Sequence, residues 1–191
     1  AGFAPELYTR HYPAGGDAVL SERVCSLLEA DGIESQLHAQ RGLEHGAWVP
    51  LMFMYPEADI PIVQLSLPAG PLTGAARLGK AIAALRRENV LIIGSGGSVH
   101  NLHRLSRSGP PEPWALGFEQ WLLDTIENGR FDALLDPASH TPHFDSAHPT
   151  LEHFAPLVLA WKAGGTEHPG RRIHDAFSYG NLGMSFYRFG N

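Results

Sequence analysis

Val90 to Leu102 reads VLIIGSGGSVHNL. Its four leading apolar residues, Val90, Leu91, Ile92 and Ile93, predict a short strand buried on both faces. The run Gly94-Ser95-Gly96-Gly97-Ser98 then breaks the strand, because glycine tolerates positive φ and leaves room for a ligand to come close. His100 follows where a helix could begin, which places it at the carboxyl edge of a sheet, the edge where open α/β sheets bind ligands. Upstream, Ile60 to Leu67 (IPIVQLSL) is a second strand candidate ended by Pro68. Between the two, Leu72, Ala75, Leu78, Ile82 and Leu85 recur at helical spacing, predicting a helix over Leu72 to Arg87 with Arg86 and Arg87 at its C-terminal end. Strand, helix and strand in this order predict a parallel, right-handed crossover. The expected class is α/β: one domain over residues 1–191, with a central mostly parallel sheet, flanking helices and a C-terminal β-hairpin.

Elsewhere the chain alternates breakers and helices. Ala1 to Gly16 reads as irregular, with Pro5, Pro13 and Gly15-Gly16 as breakers. Asp17 can cap a helix running to about Ala30, with Leu20, Val24, Leu27 and Leu28 on one face and Gly32 as its stop. Arg41 to Pro56 (RGLEHGAWVPLMFMYP) has no clean period and reads as a loop and short helix lining a pocket. Pro113 to Glu127 is a helix with proline in its first turn and Trp114, Phe118, Trp121, Leu122 and Ile126 as its buried stripe. A loop over Pro137 to Pro149 holds His140, His143 and His148. Thr150 can cap the next helix, with Glu152 and His153 in its first turn and an end near Ala163. Ile173 to Phe189 reads as two strands around the turn Tyr179-Gly180-Asn181.

Composition narrows the function. A net charge of −6 argues against a nucleic-acid binder, which would carry a basic face. No apolar run approaches the roughly 20 residues that span a bilayer. Cys25 is the single cysteine, so no internal disulfide can form and a reducing, cytoplasmic setting is expected. The opening Ala1-Gly2-Phe3-Ala4-Pro5 has neither an initiator methionine nor a signal-peptide pattern, and reads as a start within a domain. Histidine stands out: 11 of them against 14 Lys plus Arg, and histidine is the commonest metal ligand.

Three regions set a histidine beside a broken element: His45 in EHGAWVP, His100 in SVHNL, and His148 with His153 in AHPTLEHF. Imidazole can ligate iron, zinc or copper, or move protons near neutral pH. The spacing is no zinc signature: His148 and His153 lie across a proline, unlike the two histidines of HExxH that share a helix face. One cysteine excludes a cysteine-rich structural zinc site. GSGGS lacks the Lys-Ser/Thr of a P-loop and the serine position of a GxSxG elbow, so phosphate binding and serine hydrolysis are both disfavoured.

From about Phe3 to Phe189 the chain resembles the 4,5-DOPA extradiol dioxygenases, a class III ring-cleaving group. The resemblance rests on GFAPELYTRHYPA, RGLEHGAWVPLMFMYPEADIPIVQLSL, VLIIGSGGSVHNL, HPTLEHFAPLVLAWKAGG and YGNLGMSFYRFG, in family order. It implies a non-haem Fe(II) centre, with Zn(II) as an alternative occupant, that inserts both atoms of O2 beside the hydroxyls of a catechol. His153 falls on the family's C-terminal metal-ligand position, although Leu151 stands where proline is usual. His100 falls on a histidine that is a ligand in parts of the family and an acid/base in related enzymes. His45 matches a pocket histidine expected to bond the substrate hydroxyl or bound oxygen, while His148 is expected to serve capping or loop hydrogen bonding. Trp48, Met52, Phe53 and Tyr55 would wall the ring.

The chemistry agrees: a catechol must lose protons to chelate a metal, and neutral imidazoles leave the metal more positive toward a dianion than carboxylates would. The resemblance further implies an N-terminal strand–helix–strand portion, with two more metal-binding histidines, ahead of the matched region, so the chain is expected to be N-terminally incomplete. His45, His100 and His153 are expected to share one cavity. The alternative function is a non-catalytic member of the same fold that binds a small molecule or a protein.

Overall fold

The computed structural model describes residues 9–106 and 108–190. The first part of the irregular N-terminal stretch, Pro5 included, therefore lies outside the described residues. Backbone contacts group the chain into two compact units, one ending at Ser66 and one beginning at Leu67.

In the first unit, helix α1 spans Ala18–Ala30. The Asp17 carboxylate caps it by accepting from the Leu20 N–H at 2.9 Å, and Gly32 ends it at φ 66°. Val24 and Leu28 are buried, as the stripe required. Helix α2 spans His45–Met54 and is the short helix expected within Arg41 to Pro56, with residues 41–44 as the loop ahead of it. It is apolar along its length, yet none of its residues is fully buried, and Phe53 is 82% exposed. The start of α2 is tied to Gln64 and Ser66: Glu44 N–H donates to Gln64 Oε1 at 2.7 Å, and Arg41 reaches both Glu44 and Ser66. Tyr12 donates to the Tyr55 carbonyl at 2.7 Å and Ile62 N–H to the Gly15 carbonyl at 2.9 Å.

In the second unit, α3 spans Leu72–Ile82 and tightens into a 3₁₀ turn over Ala83–Arg87, as the apolar spacing predicts. It packs on α6, Ala155–Gly164. Gly79 makes that crossing close: a Cβ there would sit 2.3 Å from the Leu159 carbonyl oxygen. Helix α4, Pro113–Glu127, buries Ala115, Phe118, Leu122 and Ile126, while Trp114 and Trp121 are only half-buried. Around α4, Phe118, Phe144 and Phe154 meet at centroid distances of 5.4 to 6.1 Å, and buried Trp161 stacks on Phe189. A 3₁₀ turn over Pro137–Ser139 and the short helix α5, Phe144–Ala147, interrupt the loop expected over Pro137 to Pro149.

The C-terminal hairpin is as expected, in two paired stages: β1 (Arg171–His174) with β4 (Phe186–Arg188), and β2 (Phe177–Ser178) with β3 (Leu182–Gly183), all antiparallel. Its turn uses positive φ at Tyr179 and Gly180.

Two expectations are corrected. Among the described residues every ladder is antiparallel, and no parallel crossover is formed. Ile60 to Leu67 and Val90 to Ile93 carry no strand assignment, because a ladder needs a partner whose N–H and C=O groups lie alongside, and neither run has one among the described residues. Nor is Val90 to Ile93 covered on both faces, since Leu91 and Ile93 are 64% and 43% exposed. The second correction concerns α6, which starts at Ala155 rather than at Thr150. Pro156 suits a helix's first turn, where its missing N–H costs nothing, so Glu152 and His153 stay in the turn ahead of the helix. No helix of the described residues is long and apolar enough to cross a membrane.

Candidate active site

The glycine run lies directly on the entrance to α6. A Cβ at Gly94 would sit 2.2 Å from the Pro156 carbonyl oxygen, and one at Gly96 would sit 2.3 Å from that of His153. Only bare backbone fits there, so the glycines serve a close approach between two stretches of main chain.

Beyond the run the backbone is pinned from three sides. Val99 forms an isolated antiparallel bridge with Gly183, through Ser98 N–H to the Gly183 carbonyl (3.2 Å) and Gly183 N–H to the Val99 carbonyl (3.0 Å). His100 N–H donates to the Ala147 carbonyl at 2.9 Å, and the Asn101 amide donates to the Ser146 carbonyl at 2.7 Å. His148 approaches the Ser98 carbonyl through Nε2 at 2.9 Å.

This framing brings His100 onto His153. Their rings stack with centroids 3.4 Å apart and planes 16° from parallel. Both side chains are half-buried, so the pair faces partly into solvent. Two imidazolium charges at that separation would repel strongly, which favours at most one protonated ring. Burial lowers the His100 pKa, against a smaller opposing pull from Glu152. Glu152 itself is held below the ordinary carboxylate range, chiefly by the Thr150 hydroxyl donating to it at 2.7 Å. Burial thus favours the neutral form of His100, the form of imidazole that accepts protons and binds metals.

His148 lies behind the pair, 3% exposed among Phe118, Phe144 and Phe154. Burial brings its pKa down to about 4. A carbonyl only accepts, so His148 donates from Nε2, and Nδ1 is left a buried imine nitrogen without a hydrogen-bond partner among the described residues. The expectation of a hydrogen-bonding role for this residue holds.

His45 sits in the first unit, exposed at the first residue of α2. His100 and His153, both in the second unit, are brought into contact there. Among the described residues no group of three or more His, Cys, Asp or Glu could hold a metal ion. The two imidazoles thus fall short of the three protein ligands of a catalytic zinc site or an iron facial triad.

One buried acid escaped the sequence reading. Glu119 is 4% exposed on α4 and accepts from the hydroxyls of Ser98, Ser185 (3.0 Å) and Tyr187 (3.3 Å). The signal was present: Glu119 sits on the helical face of Ala115, Phe118, Leu122 and Ile126, where a charge is out of pattern.

A glycine-floored turn delivering a histidine onto a second histidine ahead of a helix is an arrangement suited to metal-assisted or acid–base chemistry on a small molecule. Residues 4–190 match the family described as the catalytic LigB subunit of aromatic ring-opening dioxygenase. The chain belongs to that family and is a non-haem aromatic ring-opening dioxygenase. It is 40% identical to a 4,5-DOPA dioxygenase extradiol of Beta vulgaris, over 98% of this chain and 71% of the relative. It is 33% identical to the 4,5-DOPA dioxygenase extradiol of Escherichia coli K12, over 99% of this chain and 71% of that protein. The crystal structure of an uncharacterized Escherichia coli K12 protein superposes with a TM-score of 0.86 at 32% identity, covering 96% of this chain and 77% of that one.

Proposed function

We propose that the chain opens the ring of a catechol-type, DOPA-like substrate at a non-haem Fe(II) centre, inserting both atoms of O2 beside the catechol hydroxyls. The observation that carries this reading is the stacked His100–His153 pair at the end of the glycine run. His153 is the metal ligand in this proposal, and His100 is either a second ligand or the group that takes a proton from the catechol. Its lowered pKa suits the latter role, because a neutral imidazole near pH 7 has a free nitrogen for that proton. The metal's remaining protein donors come from outside this pair. Fe(II) held by His153 would supply the redox chemistry that O2 requires, and Zn(II) on the same donor would supply none.

His45 contributes a hydrogen bond to a substrate hydroxyl or to bound oxygen in this reading. Trp48, Met52, Phe53 and Tyr55 of the same stretch contribute the apolar wall. The proposed setting is the cytoplasm, which keeps Cys25 reduced.

The test is anaerobic Fe(II) loading followed by catechol and O2, read as a yellow ring-opened product. His153→Ala is expected to abolish iron binding. His100→Ala is expected to turn over slowly with iron retained, and equal loss of iron would make His100 a ligand.

A further inference from the structure

We infer that Glu119 is a positioning residue for the His100–His153 pair, acting through Ser98; the inference rests on the proposed role of that pair. The buried Glu119 carboxylate accepts the Ser98 hydroxyl on Oε1 and those of Ser185 and Tyr187 on Oε2. Ser98 Oγ in turn accepts the Ser185 N–H at 3.2 Å. An ionised carboxylate accepts only, so all three hydroxyls are oriented by one acid, and each has a single direction left for its proton. Burial raises the Glu119 pKa and the hydroxyl bonds oppose that rise; the Tyr187 phenol is pushed up by burial and by Glu119, so it stays a donor.

Ser98 is where this network meets the site. Its side chain belongs to Glu119, its carbonyl accepts His148 Nε2–H at 2.9 Å, and its N–H donates to the Gly183 carbonyl. His100 lies two residues on. A rotation of the Ser98 peptide would therefore be felt at His148, through its hydrogen bond, and along the backbone at His100 and so at the ring stacked on it. The fold is cut to the carboxylate as well: a Cβ at Gly183 would sit 2.4 Å from Glu119 Oε1 and 2.5 Å from Ser98 Oγ. A salt bridge or an apolar residue on α4 would hold the helix to the terminal strands equally well. What only an acid with these contacts does is fix the Ser98 hydroxyl, and with it the peptide whose carbonyl accepts from His148 and which leads to His100.

The test uses the full chain with Glu119→Gln, Ser98→Ala and the double variant. In the iron-loaded enzyme kcat is expected to fall about tenfold in each single variant with KM little changed, below the roughly 10²-fold that a 1 Å misplacement costs. The double variant is expected to be no worse than the poorer single one, as for two members of one network. In the metal-free protein, histidine ring ¹H–¹⁵N spectra are expected to show a protected His148 Nε2–H that is shifted or lost in both variants. Parental kcat with an unchanged His148 signal, or additive losses in the double variant, would overturn the inference and leave Glu119 a purely structural tie. Ser98→Ala removes one oxygen and decides the matter if Glu119→Gln does not fold. If the parent opens no ring, the proposed function fails while the His148 spectrum still decides the role of Glu119.

Discussion

Replacing Gly96 with alanine would place a methyl group 2.3 Å from the His153 carbonyl oxygen. Carbon and carbonyl oxygen rest at about 3.4 Å, so the two stretches of backbone must part by roughly 1 Å. The obstacle is main chain, with its carbon at 3.1 Å and the Pro156 ring at 3.2 Å behind it, and no flexible side chain can give way. Overpacking of this kind costs about 1–3 kcal/mol. The larger consequence falls on catalysis, since the displaced residue is His153 and its stacking partner His100 hangs from the same glycine run. A misplacement near 1 Å costs about 10²-fold in rate. Gly97→Ala is the control: its Cβ would meet His100 Cβ at 3.4 Å and Val99 O at 3.5 Å, ordinary contacts. The assay is ring opening at saturating catechol, with thermal melting on the same samples. Gly96→Ala should lose the activity while staying folded at assay temperature, and Gly97→Ala should stay within about 0.5 kcal/mol of the parent and keep its rate. Equal activity in the two variants would refute the reasoning that the glycine run sets the pair's geometry.

Three further outcomes follow from the packing and the buried imidazole. His148 is depressed from 6.5 to about 4 in the native state, so between those values the unfolded chain binds more protons and stability falls as pH falls. Relative to His148→Gln, the parent should lose up to about 3 kcal/mol across that window in denaturant titrations, and a flat difference would contradict it. Gly79→Ala drives a methyl to 2.3 Å from the Leu159 carbonyl oxygen and should lower stability by about 1–3 kcal/mol in thermal melts. Trp161→Ala, which removes a fully buried ring stacked on Phe189 and edge-on to Phe131, should cost about 3–5 kcal/mol.

The helices were legible where a local rule decides them. Asp17 and Gly32 bracket α1, Pro113 opens α4, and the period of Leu72, Ala75, Leu78 and Ile82 marks the buried face of α3. Local rules failed where the deciding contact is distant. An apolar run such as Val90 to Ile93 records a liking for extended backbone but not whether a partner strand lies beside it. At α6 the cap-like Thr150 competed with Pro156, and the proline won. Within the site, His100 and His153 were individually conspicuous, yet their stacking depends on Gly94 and Gly96 fitting against α6, a fit no spacing rule encodes. His148 and Glu119 owe their burial to neighbours far along the chain, Phe118 and Ser98 among them.

The account stands most directly on mass analysis of the product formed from a catechol under isotopically labelled O2 by the iron-loaded parent and by folded His153→Ala. An opened ring carrying both labelled oxygen atoms from the parent, and no such product from the variant, is the predicted result. A doubly labelled, ring-opened product released by His153→Ala at the parental rate would contradict it.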